Sequence, residues 1–256
     1  MKDSKKYSPK VTRLFNSLKR NSTKHPMPEY ADPLEAVVYA LICEQVPEQN
    51  AGRIYRRLMR HFIDLNDLRV SRREEILDVF NDTTDGLQES AKLITEVLNA
   101  VFATHDQVSL KNLGHDGKRQ AHKELSEIGG ITFFAVSYCF LTALDGHAIP
   151  LNAKTVTYLH ENKLVHPDAT DVEIAGFLER LIGAADAYEF YVLVREAAEQ
   201  DRPVTKTKKA ASSRKTTKKK TAKKKTTKKK TATKKKTAKK VATKKKTSKK
   251  KQVKKK

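Results

Sequence analysis

The sequence predicts an all-α body followed by a disordered, lysine-rich C-terminal tail. Two observations predict the body: apolar residues recur at helical spacing through most of residues 33–200, and no alternating run bounded by a tight turn suggests a strand hairpin. A third observation predicts the tail. The chain carries +23 as a whole, but residues 204–256 carry +28 with no Asp or Glu, so residues 1–203 carry −5. The expected organisation is a polar N-terminal segment with a short helix (1–25), a helical domain (26–202) and the tail (203–256).

Taken in order, Met1 to Lys10 is polar and is expected to fray. Pro33, at a first-turn position after Asp32, opens a helix that places Leu34, Val37, Val38, Leu41 and Ile42 on one face. Ile54, Leu58 and Phe62 define a second helix over Glu48 to Phe62. Ser71, with Glu74 three residues on, predicts a capping box at the start of a third. Leu93, Ile94, Val97, Leu98 and Val101 continue the pattern over Leu87 to Phe102, and a short helix follows from Lys118 to Leu125. Gly129 and Gly130 break the chain before a very apolar helix over Thr132 to Leu144. Three more are expected over Ala153 to Asn162, Asp171 to Leu181 and Ala185 to Gln200.

The tail has no core to bury. Beyond Pro203 it is Lys, Thr, Ala and Ser with three valines, one arginine and one glutamine, and it lacks any aromatic residue, Leu, Ile or Gly. Such a segment cannot offset the entropy of ordering its backbone. Its lysines come in blocks, including Lys218, Lys219 and Lys220, then Lys223, Lys224 and Lys225. A lysine is a hydrated point charge without the planar fork that reads guanine edges, so the expected partner is DNA, held mainly through sequence-independent phosphate contacts. A membrane partner is not expected, because the tail has neither an amphipathic apolar face nor a lipidation site. Its composition is similar to the tails of linker histones and histone-like bacterial proteins.

The body bounds the compartment and the cofactors. Cys43 and Cys139 lie far apart, each in an apolar run, and read as reduced core residues rather than a disulfide or zinc framework. The histidines, including His115 and His122, show no metal-ligand spacing. No stretch suits a signal peptide or a membrane span. These features predict an intracellular protein, of the nucleoid or cytoplasm in a bacterium and the nucleus in a eukaryote. They leave the oligomeric state open.

The turn at Gly129 and Gly130 carries the specific signal. A helix ending in Leu125, then Ser126-Glu127-Ile128-Gly129-Gly130-Ile131-Thr132, then a buried helix, looks like a helix-hairpin-helix, whose backbone N–H groups can hold a DNA phosphate. Three further segments stand in matching order. Asp32-Pro33-Leu34-Glu35 through Leu41-Ile42-Cys43-Glu44-Gln45 is similar to the first core helix of the endonuclease III-like superfamily of DNA glycosylases and apurinic-site lyases. Gly86-Leu87 with Ser90-Ala91-Lys92 is similar to that family's glycine-led helix. Ala148-Ile149-Pro150-Leu151-Asn152-Ala153 falls where the family has an apolar-Pro-Val-Asp-Thr segment. Together with Leu125-x-x-Ile128-Gly129-x-x-Thr132, the body from Asp32 to Tyr191 resembles this superfamily. The resemblance implies DNA contacts at Gln45, at Gly129 and Gly130, and at Thr132, and it implies that Gln45 reaches toward the gap left by a flipped base.

The departures from that pattern bear on chemistry. The resemblance puts the lyases' Schiff-base lysine at Ile131, a side chain with no nitrogen to attack with. It puts the essential aspartate at Asn152, an amide of the same shape without the charge. Glu127 replaces the first hairpin glycine, and its charge repels a neighbouring phosphate. The family's four-cysteine iron–sulfur cluster is not expected, because no cysteine follows Cys139. Possible substitutes have ordinary readings: Lys154 as a surface charge, Asp145 as a turn residue before Gly146, and Tyr138 and His147 as structural groups. Three readings remain. One is a DNA-binding protein of this superfamily, related to base-excision repair in origin and without glycosylase or lyase catalysis. The second is a glycosylase or apurinic-site lyase with a rearranged site, and the third is a histone-like nucleoid- or chromatin-compacting protein.

Overall fold

A computed structural model describes residues 1–201 apart from 24, 83 and 116. The lysine tail, with its candidate contacts at Lys218, Lys219, Lys220, Lys223, Lys224 and Lys225, lies outside the described residues. Among those described there are eleven helices and no strand. They are α1 Ser4–Arg20, α2 Pro33–Cys43, α3 Glu48–His61, α4 Leu65–Val70, α5 Arg73–Phe80 and α6 Asp85–His105, then α7 Lys118–Glu127, α8 Phe133–Thr142, α9 Ala153–Glu161, α10 Asp171–Leu181 and α11 Ala184–Glu199.

The helices gather around one central pair. α2 and α8 are the two most apolar segments, and each is buried on nearly every side, as an all-round hydrophobic helix must be. They pack against each other. α3, α4, α5 and α6 assemble on one side of the pair; α1, α9, α10 and α11 assemble on the other, and α7 lies against α8. Two polar ties fix α2 within this arrangement. The carboxylate of Asp32 caps α2 by accepting from the Leu34 N–H (2.9 Å), and it also accepts from Leu110 N–H (3.0 Å) and Ser109 Oγ in the loop after α6. Ser90 Oγ of α6 donates to Leu41 O of α2 at 2.7 Å.

The N-terminal expectation is corrected. Met1 to Lys10 does not fray: α1 starts at Ser4 and buries Tyr7, Val11, Leu14 and Phe15 against α10 and α11. Those residues stand at i, i+4, i+7 and i+8, one face of a helix, and Ser8, Pro9, Lys10, Thr12 and Arg13 between them mask the stripe in a composition count. The capping box at Ser71 is also corrected. Ser71 ends the short helix α4, its Oγ donating to Asp67 O (2.7 Å), and α5 begins after Arg72 without a side-chain cap. The capping box that forms lies at Thr170 and Glu173, at the start of α10.

Candidate functional site

The hairpin is built by one tight turn. Ile131 N–H donates back to Ile128 O (3.3 Å), which puts Gly129 and Gly130 at the two central positions. Gly130 has φ +80°, the left-handed value that a type II turn demands at its second central residue, whereas Gly129 does not. A Cβ on Gly130 would lie 3.1 Å from Glu96 Cβ, so both conformation and space require glycine there. Thr132 then caps α8, its Oγ1 accepting from Ala135 N–H at 3.1 Å. Among the described residues the amides of Gly129, Gly130 and Thr132 meet no acceptor. They stand at the positive end of the α8 dipole, where an anion is favoured. Glu127 is 65% exposed and turned toward Lys123 (3.9 Å), which tempers the repulsion expected from its charge. The Glu96 carboxylate, however, sits beside Gly130 and pairs with Lys92 at 3.9 Å.

The turn after α2 meets this hairpin through a residue the sequence reading passed over. Glu44 Oε2 accepts from Thr132 Oγ1 at 2.7 Å, so a carboxyl group touches the hairpin beside Ile131. Burial pushes the Glu44 pKa above the usual carboxylate value; the Thr132 hydrogen bond and the charge of Arg195 oppose this without cancelling it. Gln45 follows on the exposed side. Its side chain occupies the space beside Gly86 at the start of α6, where an added Cβ would lie 3.0 Å from Gln45 Oε1 and 3.2 Å from its Cβ. Glycine at 86 is therefore what lets Gln45 lie along α6.

Arg195 locks the same turn from beneath. This α11 side chain is 2% exposed. Its guanidinium donates to Cys43 O (2.6 Å), Val46 O (2.8 Å), Tyr191 OH (2.9 Å), Cys43 Sγ (2.8 Å) and Glu199 Oε1 (2.8 Å), and it approaches Glu48 Oε2 (3.4 Å). Burial pushes its pKa down, but the interactions with Tyr191, Cys43 and Glu48 and the hydrogen bond to Glu199 outweigh burial and hold it above the ordinary arginine value. Glu199 continues the chain of contacts by accepting from Glu48 N–H (3.2 Å) through its side chain and from Lys154 Nζ (3.4 Å) through its carbonyl. A run of polar contacts thus connects the hairpin, the Gln45 turn and the start of α9.

Asn152 stands at that start. It is buried, and its Oδ1 accepts from Thr155 N–H at 2.9 Å to cap α9. Ile131 is half-buried and packs against the core. The side groups considered as substitutes are otherwise engaged. Lys154 is exposed, and Asp145 holds a left-handed turn (φ +50°) before Gly146, where a Cβ would collide with the Phe140 ring at 2.3 Å. His147 Nε2 meets Ile182 O (2.9 Å), and the buried Tyr138 pairs with Tyr30 through their hydroxyls (2.9 Å).

Cys43 and Cys139 are buried and separately engaged, Cys43 with Arg195 and Glu48, Cys139 with Pro33 O (3.3 Å). These two are all the cysteines of the chain, so its residues do not fit a four-thiolate cluster. Among the described residues no group of three or more His, Cys, Asp or Glu is arranged to hold a metal ion. Also among them, no helix is long and apolar enough to cross a membrane.

An all-α body with this hairpin and this core pair has the helix-hairpin-helix DNA glycosylase fold. Solved structures with the same fold show it directly. A trapped endonuclease III–DNA covalent intermediate superposes with a TM-score of 0.59 at 12% identity, over 74% of this chain and 85% of that one. A Clostridium acetobutylicum 8-oxoguanine glycosylase/lyase in complex with double-stranded DNA gives 0.59 at 13% identity, over 78% and 71%. An H. pylori 3-methyladenine DNA glycosylase bound to 1,N6-ethenoadenine gives 0.57 at 14% identity, over 76% and 98%. No family model matches the sequence, and none of the curated proteins does.

Proposed function

We propose that this protein binds duplex DNA and does not excise bases. The hairpin amides hold one phosphate, Gln45 probes the stack, and the tail lysines add phosphate contacts that supply most of the affinity. The observation that carries the non-catalytic half is the state of Asn152. A carboxylate at a helix start can cap with one oxygen and still present the other to a reacting sugar. An amide has one oxygen, and here it is spent on the Thr155 N–H, so the remaining atom is an N–H₂ donor with no negative charge to offer a developing cation. Ile131 offers no nucleophile for a Schiff base.

The test is a titration of the full chain on intact and abasic duplexes, with borohydride trapping and base-release assays over a panel of damaged bases. Binding that favours the abasic duplex, without adduct or released base, is the expected result. Deleting residues 204–256 flattens the salt dependence, since each phosphate neutralised contributes roughly −0.9 to the log–log slope, and leaves any lesion preference in place. Release of any base, or a covalent adduct, overturns the reading.

One observation favours the second reading, a glycosylase with a rearranged site. Glu44 brings a carboxyl of raised pKa to Thr132, next to the position the resemblance gives to the lyases' nucleophile. If base release is found, Glu44→Gln abolishes it under this reading; activity that survives the change removes Glu44 from consideration.

A further inference from the structure

The body carries −5, yet one surface of it concentrates positive charge. Arg53, Arg56, Arg57 and Arg60 stand at i, i+3, i+4 and i+7 of α3, all exposed, and line a groove of about 410 Å³ between α3 and the end of α5. Asp82 is the one carboxylate on the groove wall among the described residues. Glu48, the single acidic residue of α3, turns away toward Arg195 and Tyr39. Neighbouring like charges at these spacings destabilise a helix. The four guanidiniums nevertheless make no ion pair with a carboxylate among the described residues. Arg57 donates to Phe80 O at the end of α5 and so has a structural task. Among the described residues Arg53 donates to Gln49 O (3.3 Å) and Asn50 Oδ1 (2.8 Å) of its own helix.

The position of the groove identifies its occupant. Val46 forms part of its lining, and Val46 is the residue after Gln45. The same turn touches the hairpin, through Glu44 and Thr132. A strand held by the hairpin amides and running past Gln45 therefore continues toward the arginines. Seven residues of helix cover roughly 10 Å, the axial length of about three nucleotides in one strand. Guanidinium forks suit phosphate oxygens, which they engage in pairs. We infer that the α3 arginine groove is a second DNA-backbone site, gripping two or three consecutive phosphates on the far side of Gln45 from the hairpin. This inference rests on the DNA-binding reading above.

The test uses the full chain and a short duplex with a central abasic site. The Arg53→Glu, Arg56→Glu, Arg60→Glu triple variant is compared with a Lys2→Glu, Lys5→Glu, Lys6→Glu control. The control makes the same change of charge at the N-terminal end of the chain, where α1 packs on α10 and α11 instead. Phosphate-ethylation interference is expected to vanish at two or three adjacent phosphates on one side of the lesion in the arginine variant only. Its salt slope is expected to fall by about 2 to 3 more than that of the control. Because the three arginines are exposed the core is untouched, and the glutamine triple, checked by circular dichroism, guards against a folding defect. An unchanged interference pattern, with a slope matching the lysine control, overturns the second site while the hairpin reading stands. Failure of the unaltered chain to bind any duplex overturns both.

Discussion

Replacing Arg195 by Met tests whether the Gln45 turn is held by the guanidinium beneath it. Methionine fills much of the aliphatic volume and removes every donor. Two backbone carbonyls, Cys43 O and Val46 O, then lose donors at 2.6 and 2.8 Å. Each buried group left without a partner costs about 1–3 kcal/mol. Glu199, 17% exposed, loses its 2.8 Å partner; Glu48, 38% exposed, is solvated enough that its share is small. Breaking a buried pair by removing one member costs about 3–5 kcal/mol, and the partial exposure of both carboxylates argues for the lower half. At roughly 2–4 °C per kcal/mol for a body of this size, the melting temperature falls by about 10 °C. Differential scanning calorimetry of the full chain reads this, and Arg195→Lys, which keeps the charge but not the fork, is expected to recover less than half of the loss. A melting temperature within about 2 °C of the parent would refute the idea that Arg195 braces this turn.

Other expectations are as direct. Asn152→Ala removes the α9 cap and costs about 1 kcal/mol in urea denaturation, whereas Asn152→Asp keeps it; the double change Asn152→Asp with Ile131→Lys stays folded, because Ile131 is half-buried and a lysine stem can reach water. Gly130→Ala costs about 1–2 kcal/mol through its φ of +80°, while Gly129→Ala, whose Cβ would sit 3.7 Å from Ala100 Cβ, is close to neutral. Glu44 gives a pH signature. Its folded pKa lies above the ordinary 4.5, so the folded state holds the proton more tightly than the unfolded one. Stability is then fullest below the unfolded value and falls as pH rises through the folded one. Glu44→Gln flattens that part of the pH–stability curve, and an unaltered curve would show that the group is not desolvated.

Much of this was legible in the residue pattern. Pro33 after Asp32, the apolar spacing through Leu98 and the glycines before Thr132 each express a local rule, and the helices follow those rules. α1 escaped because its buried face, Tyr7 to Phe15, is interrupted by polar residues and Pro9, and the cap at Ser71 failed because α4 ends on that residue. The arginines of α3 were equally visible at i, i+3, i+4 and i+7, but a whole-body charge of −5 averages them away.

The sequence by itself determined the helical class, the hairpin glycines, the apolar side chain at Ile131 and the uncharged amide at Asn152, and the charge of the tail, because each is a property of composition or of neighbours along the chain. Tertiary structure decided that Glu44 meets Thr132 across 88 positions and that Arg195 reaches Cys43 across 152. Burial and long-range pairing exist only once helices pack, and they assign a carboxyl its pKa, an arginine its partners and a groove its neighbours.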